Sequence, residues 1–410
     1  MVLRMQPIEK RVPETDLTLP LLQLVRSLLQ EIQPTTAPKI INLDSSLEKD
    51  LGLDSLTRVE LIARIERHFA LVLPERTFAE AETPRDLLRE LAKASPHKAP
   101  DKPVIISPPK YVDDIILPGQ ANTLIDVLDW HVSAHSERPH IQFHSDDGDG
   151  QSLSYKTLLD GAQNLASGLQ TLGVEPGQTV AIMLPTSEEY FYTFFGILLA
   201  GAIPVPIYPP MRPSQLEDHL RRHAAILSNC RAVTMITVTE AKPVARLLKS
   251  QLETLHHIIT VDELLNTGSR YERPAISPQD TAFLQYTSGS TGSPKGVVLT
   301  HANLLANIRA MGERVGANPN DVFVSWLPLY HDMGLIGAWL GSLYYAALFV
   351  VMSPLAFLAR PQRWLQAIHQ YQGTLSAAPN FGYELCLHRL KDTDLVGLDL
   401  SSWRAAFNGA

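Results

Sequence analysis

"LQYTSGSTGSPKGVVLT", residues 284–300, sets hydroxyl and glycine residues around a single lysine, between two apolar, β-prone flanks. Thr287, Ser288, Ser290, Thr291 and Ser293 supply hydroxyls, while Gly289 and Gly292 let the backbone turn tightly and present its N–H groups. Successive N–H groups in such a turn form an anion-binding concavity, and Lys295 adds a point charge. The loop is not of the Walker A type, in which Gly-Lys-Ser/Thr opens a helix. Here Pro294 precedes the lysine, Gly296 follows it, and a β-rich run comes next. A solvated Ser/Gly linker shares the composition, but strand-like segments clamp this loop at both ends and a lysine sits within it. The stretch reads as a holder of nucleotide phosphates.

Outward from the loop, strand-like and helix-like segments alternate. "TVAIML" (179–184) precedes the helical "EEYFYTFFGILLAG" (188–201) and the strand-like "AIPVPIY" (202–208). "SQLEDHLRRHAAILSN" (214–229) leads to "AVTMITV" (232–238), and later "TAFLQYT" enters the loop and "GVVLT" leaves it. Such alternation implies an α/β architecture with a largely parallel sheet. Residues Met333 to Ala359 carry no charge and contain the GxxxG spacing Gly337–Gly341, a length that could span a bilayer. The run also holds Ser342, Tyr344, Tyr345 and Pro354 and divides into a helix-like part and the β-rich "ALFVVM". A buried helix followed by a buried strand is therefore expected, with no transmembrane segment. "DDGDG" at 146–150 lacks the EF-hand spacing and its distal Glu, so a hairpin turn is expected there instead of a calcium site. No internal repeat emerges.

Residues 16–93 have a different character. "LLQLVRSLLQEI" has apolar residues at helical spacing with Pro20 near its start. "DSLTRVELIARIERHF" repeats Leu56, Val59, Ile62 and Phe69 on one face, and "TPRDLLRELA" offers Thr83 as N-cap with Pro84 at the first helical position. A small all-α bundle is expected. Residues 94–119 contain six prolines and no helical period, which predicts an extended, semi-rigid linker and a domain boundary. The α/β region would then run from 120 to 410.

The 410 residues are 45% hydrophobic and 19% charged, with a net charge of −8. This is an ordinary globular composition with material for more than one domain. The acidic balance gives no basic stripe, so no nucleic-acid partner is expected. Cys230 and Cys386 are the only cysteines and lie far apart. That usage suits a reducing compartment, and with no apolar leader at the N-terminus a cytoplasmic location is expected.

Ten consecutive residues, Thr287 to Gly296, resemble the signature loop of the adenylate-forming superfamily. The resemblance implies that ATP and a carboxylate give an acyl-AMP and pyrophosphate. It further implies that Thr287, Ser288, Gly289, Ser290, Thr291, Gly292 and Lys295 hold the ATP phosphates, with Thr287 a ligand of Mg²⁺. The physical reading agrees, because leaving pyrophosphate gathers negative charge that donors and a cation stabilise. "SWLPLYHDMGLIG" (325–337) resembles a second motif, in the form found in fatty acyl-AMP ligases, as do "AIPVPIYPP" (202–210) and "RPQRWLQAIHQYQGTLSAAPNFGYELC" (360–386). His331 would border the adenylate and the mouth of an acyl tunnel, and with Lys295 it is the candidate catalytic pair. The apolar run beyond His331 suits the dry sleeve that a fatty acid needs. Asp332 is the nearest acidic partner for an α-ammonium and carries little weight.

Asn408, Gly409 and Ala410 resemble the start of the adenine-contacting strand and turn. The resemblance covers residues 121–410 and implies that later family elements are missing. The expectation is an incomplete adenylate-forming N-terminal domain that turns over poorly by itself.

"DLGLDSLTRVEL" (50–61) resembles the attachment motif of acyl and peptidyl carrier proteins, with Ser55 the acceptor of 4′-phosphopantetheine. A hydroxyl at a helix start, where free N–H groups and the dipole favour a phosphodiester, is what that chemistry needs. A plain N-cap serine is the simpler alternative. Arg58, Arg64 and Arg67 mix with Glu60 and Glu66 on this helix, where many stand-alone carriers are acidic.

Together these features predict a fatty-acid-loading protein. ATP, Mg²⁺ and 4′-phosphopantetheine would serve it. Its partners would be a fatty acid, a carrier domain in cis or in trans, a phosphopantetheinyl transferase, and polyketide or nonribosomal peptide synthase modules. A fatty acyl-CoA ligase and an inactive carrier-plus-scaffold fragment remain as alternatives.

Overall fold

A computed structural model describes residues 14–32, 41–53, 55–96, 115–144, 150–208, 216–265, 271–287 and 295–409. The chain divides into two compact units, the first built on the chain up to Asp101 and the second on most of the remaining residues.

The first unit is helical. Its helices are α1 (Glu14–Ile32), α2 (Ser55–Phe69), α3 (Glu75–Glu80) and α4 (Pro84–Lys93). Leu17, Leu21, Val25 and Leu28 recur every three or four residues along α1 and are buried, as are Leu87, Leu88 and Leu91 of α4. α4 begins as its sequence predicts: the Thr83 side chain accepts from the Asp86 N–H, the Asp86 side chain answers as a capping box, and Pro84 stands in the first turn. Two details depart from the sequence pattern. Pro20 lies inside α1, which starts at Glu14, so the proline costs one backbone hydrogen bond without ending the helix. On α2 the expected Leu56 and Val59 lie outside the described side chains; Ile62 is buried as expected, Phe69 is half-buried, and Arg58, Leu61 and Ile65 are buried as well. α2 packs on both α1 and α3, which widens its covered face beyond one helical row. A two-residue strand, β1 (Leu71–Val72), pairs antiparallel with β2 (Ser95–Pro96), so the expected linker begins by folding back on this unit. Its greater part, residues 97–114, lies outside the described residues.

The second unit is α/β. Its strands are β3 (Pro139–Phe143), β4 (Ser152–Ser154), β5 (Thr179–Met183), β6 (Ile203–Pro206), β7 (Thr234–Thr237), β8 (His257–Ile259), β9 (Thr281–Thr287), β10 (Lys295–Thr300), β11 (Val322–Ser325), β12 (Leu348–Val351), β13 (Leu375–Ala378) and β14 (Ala405–Asn408). Helices α5 (Leu124–His135), α6 (Tyr155–Thr171), α7 (Glu188–Leu199), α8 (Leu216–Cys230), α9 (Lys242–Lys249), α10 (Val261–Leu265), α11 (His301–Val315), α12 (Gly341–Tyr344), α13 (Pro354–Ala359), α14 (Gln362–Gln370) and α15 (Asn380–Arg389) connect them.

One sheet runs β14-β13-β11-β12-β3-β4, parallel except for the β3–β4 hairpin, and a second, fully parallel sheet runs β6-β5-β7-β8. β9 and β10 pair antiparallel with each other, and β9 packs beside β6. The β3–β4 pairing makes the "DDGDG" segment a hairpin connection, although residues 145–149 themselves are outside the described set. Gly150 closes it, since a Cβ there would collide with the Phe143 carbonyl oxygen.

The uncharged run from Met333 is core. It forms a π-helix (Met333–Leu340) continuing into α12, and then β12 between β11 and β3. Trp339 sits among Phe191, Phe194 and Phe195 of α7, with ring centroids 4.6, 5.3 and 5.7 Å away. Among the described residues no helix is long and apolar enough to cross a membrane.

Candidate active site and carrier serine

Three parallel strands of the larger sheet end near the second motif, and the segment after β11 carries it. β11 ends at Ser325 and runs into the segment bearing His331; β13 ends at Ala378 before Asn380; β14 ends at Asn408. The carboxyl ends of parallel strands are where α/β folds place their ligands, because the loops there converge. The Asn408 amide donates to the Asn380 side-chain oxygen at 3.2 Å, and the Tyr383 hydroxyl donates to the Phe407 carbonyl at 2.8 Å. Gly409 lies against Met333, whose Cε would be 3.0 Å from a Cβ at that position. The end of β14 is thus brought beside the second motif.

That motif is tightly set. The Cβ of any other residue at Gly334 would collide with the Pro328 carbonyl oxygen, so glycine permits the turn around His331. His331 Nδ1 lies 2.6 Å from Asp332 Oδ1, and both side chains are largely exposed. Asp332 also caps the π-helix, accepting from the Met333 N–H at 2.7 Å. Single-turn and short π segments inside helices are frequent at functional sites.

The strands that flank the expected phosphate loop pair as a hairpin. Thr287 and Lys295 are Cα partners across β9 and β10, and both are exposed. Ser288, Gly289, Ser290, Thr291 and Gly292 lie outside the described residues, as does Ala410. Thr287 and the His331–Asp332 pair line one pocket of about 380 Å³, so the two motifs meet in space. Lys295 and Asn408 do not line it. Tyr208, Arg222 and Gln285 do, although none of the three was expected as a site residue. Arg222 lies over the Tyr208 ring, 5.6 Å from its centroid. Gln285 had one available signal, a polar residue within the apolar strand "TAFLQYT". Burial pushes the Tyr286 phenol up to about 12 and raises that of Tyr330, so both stay protonated donors at neutral pH.

In the first unit Ser55 is the first residue of α2, and the first turn of that helix holds no acidic residue to oppose a phosphate. The arginines of α2 are engaged within the unit. Arg64 clamps Glu31 at 2.6 and 2.7 Å and reaches Glu60 at 2.7 Å, Arg67 contacts Glu60 at 3.3 Å, and buried Arg58 donates to the Ala81 carbonyl.

Thr287 at the end of β9 sharing a pocket with the His331–Asp332 pair, in a chain that also places a serine at a helix start of the first unit, fits an α/β adenylate-forming domain preceded by a helical carrier region. The family described as AMP-binding enzyme matches residues 128–410, and the phosphopantetheine attachment site matches residues 21–91. The chain belongs to the AMP-binding enzyme family. It is 36% identical over 294 residues to the medium-chain-fatty-acid–[acyl-carrier-protein] ligase JamA of Moorena producens, covering 70% of this chain and 49% of that protein. It is 38% identical over 269 residues to the long-chain-fatty-acid–AMP ligase FadD26 of Mycobacterium bovis, covering 64% and 45%. Among solved structures, the fatty acyl-adenylate ligase from L. pneumophila in complex with acyl adenylate and pyrophosphate is 34% identical. Its TM-score is 0.66, over 72% of this chain and 50% of that one. The chain spans about half the length of the relatives it matches.

Proposed function

We propose that this chain carries the nucleotide and acyl half of a fatty acyl-AMP ligase joined to its own carrier domain. The observation that carries the reading is the shared pocket, which puts Thr287 at the root of the phosphate hairpin beside His331 and Asp332. The named relatives and the matched carrier site support it. The carrier occupies residues 16–93, the linker 94–119 and the adenylate-forming part 120–410.

In the reaction a carboxylate oxygen of the fatty acid attacks the α-phosphorus of ATP, the bond to the leaving pyrophosphate breaks, and acyl-AMP forms. Lys295 and the residues from Thr287 to Gly292 hold the departing phosphates, where charge accumulates. Among the described residues no group of three His, Cys, Asp or Glu side chains is placed to hold a metal. Mg²⁺ is commonly held by substrate phosphates with few protein ligands, and the Thr287 hydroxyl fits that role. His331, oriented by Asp332, borders the acyl group. Asn408, Gly409 and Ala410 flank the adenine. Ser55 would hold the phosphopantetheine arm, which would supply a thiol acceptor for the acyl group with AMP as the leaving group. Tethering that acceptor raises its local concentration and limits hydrolysis of acyl-AMP. A phosphopantetheinyl transferase supplies the arm, polyketide or nonribosomal peptide synthase modules receive the chain, and the setting is cytoplasmic.

Intact-mass measurement tests this reading. After treatment with a phosphopantetheinyl transferase, fatty acid and Mg-ATP, Ser55 should gain first the arm and then the acyl group, with pyrophosphate released in step. Acylation of free CoA with none of the carrier would overturn it.

A further inference from the structure

Gln285 is buried, with 6% of its surface exposed, and it lines the pocket two residues before Thr287 on β9. Residues two apart on a strand project to the same face. Its Nε2 donates to the Tyr330 carbonyl oxygen at 2.8 Å, a contact between residues 45 apart in sequence. A carbonyl can only accept, so the amide nitrogen must face it, and this leaves Oε1 turned away. Oε1 is buried and has no partner among the described residues. A second tether acts one residue earlier. Tyr190 of α7, also buried, donates its hydroxyl to the Leu329 carbonyl at 2.7 Å. Two consecutive carbonyls immediately before His331 are therefore held from two different elements. The His331 N–H closes a turn to the Pro328 carbonyl at 3.2 Å, and the Leu335 N–H returns to the His331 carbonyl at 2.8 Å.

An apolar side chain at 285 would avoid burying an unpartnered Oε1 but would lose the donor to the Tyr330 carbonyl, and a buried orphan acceptor is costly. Such groups persist where a site needs them. We propose that Gln285 is a positioning residue for adenylation: its amide ties the strand leading into the phosphate hairpin to the carbonyl before His331, fixing the spacing of the two motifs. Its free Oε1 is the acceptor for a hydroxyl, N–H or water of the occupied pocket. This inference rests on the proposed function, because it assigns a role within that reaction.

The test uses Gln285→Met and Gln285→Glu in the full natural polypeptide, with initial rates of pyrophosphate release at varied ATP and dodecanoate. Gln285→Met should lower kcat by about tenfold or more while KM for ATP stays within about threefold, and the thermal midpoint should fall by only a few degrees, as one unpaired carbonyl costs. Gln285→Glu can donate to the Tyr330 carbonyl only when protonated. Its rate relative to wild type should therefore climb several-fold from about pH 8 to about pH 6, while the Met ratio stays flat. An unchanged kcat in the Met variant, a loss confined to KM, or a flat Glu ratio overturns the assignment. Should the Met variant fail to fold, the Glu profile decides alone. A wild-type protein with no fatty-acid-dependent pyrophosphate release sinks the proposed function itself, whatever the variants do.

Discussion

Thr287 and Lys295 stand directly opposite each other where the β9–β10 hairpin opens, and the seven residues between them form its loop. Partners across an antiparallel pair have Cα atoms roughly 4.5–5.5 Å apart. The lysine is thereby held at the mouth of the same turn whose other post lines the pocket. Distance along the chain would not require this; the strand register does.

Replacing Lys295 with Met should leave folding intact, since the side chain is exposed and such surface changes stay within about 0.5 kcal/mol. Pyrophosphate release should fall by about 10- to 100-fold, the worth of one charge-assisted phosphate contact. Lys295→Arg should recover part of the loss. Equal rates for wild type and Met variant would remove the lysine from the site.

Ser55→Ala should abolish the mass increment left by a phosphopantetheinyl transferase. Helical circular dichroism and the denaturation midpoint should change little, a helix-start serine being worth about 1 kcal/mol at most sites. Modification persisting in the alanine variant would place the arm elsewhere.

Asp321 is a buried carboxylate that joins two strands of the larger sheet. It accepts from Arg404 Nε at 3.0 Å and Nη2 at 2.7 Å, from the Thr374 hydroxyl at 2.6 Å, and from the Asn318 N–H at 2.9 Å. Arg404 directly precedes β14, so this hub fixes the strand that ends at Asn408 and Gly409. Asp321→Ala should cost about 1–3 kcal/mol, because it removes the shared acceptor of the Thr374 hydroxyl, the Asn318 N–H and Arg404, which keeps the Val315 and Gly316 carbonyls. A urea midpoint within error of wild type would show the hub to be dispensable.

Stability should also depend on pH through two buried histidines. The His140 ring stacks on Tyr155 at 4.9 Å and its Nε2 accepts from Trp339 Nε1 at 3.2 Å; the His131 ring stacks on Tyr155 at 4.6 Å. Burial, reinforced by neighbouring positive charge from His135 and Arg138, pushes the His131 imidazole down to about 3 from an ordinary 6.5. Burial, reinforced by His131 and Arg138, does the same to His140. A group whose folded pKa is depressed is protonated first in the unfolded chain, so stability falls as pH drops from about 6.5 toward 3. Each histidine adds a slope of at most about 1.4 kcal/mol per pH unit. His140→Gln, which can still accept from Trp339, should flatten part of that slope in acid denaturation. An unaltered slope would show that His140 does not titrate on unfolding.

Much of the fold and part of the site are legible in the sequence. Every strand and helix quoted around the phosphate loop occurs near its expected place, because a period of two or of 3.6 is a local property of the chain. The Thr83–Pro84 start of α4 comes equally from local capping chemistry. The face of α2 shows the limit. Arg58 counts as polar in any pattern, yet it is buried because the Ala81 carbonyl, 23 residues away, receives it.

The order of side chains by itself determined the hydroxyl- and glycine-rich stretch between β9 and β10, the helix start at Ser55 and the alternation that builds parallel sheets, since each depends on neighbours a few positions apart. Only the tertiary structure decided that Thr287 and His331 share one pocket, that Gln285 holds the carbonyl before His331, and that Asp321 anchors β14. Those relationships join residues tens of positions apart. They arise from packing and burial, which local spacing does not encode.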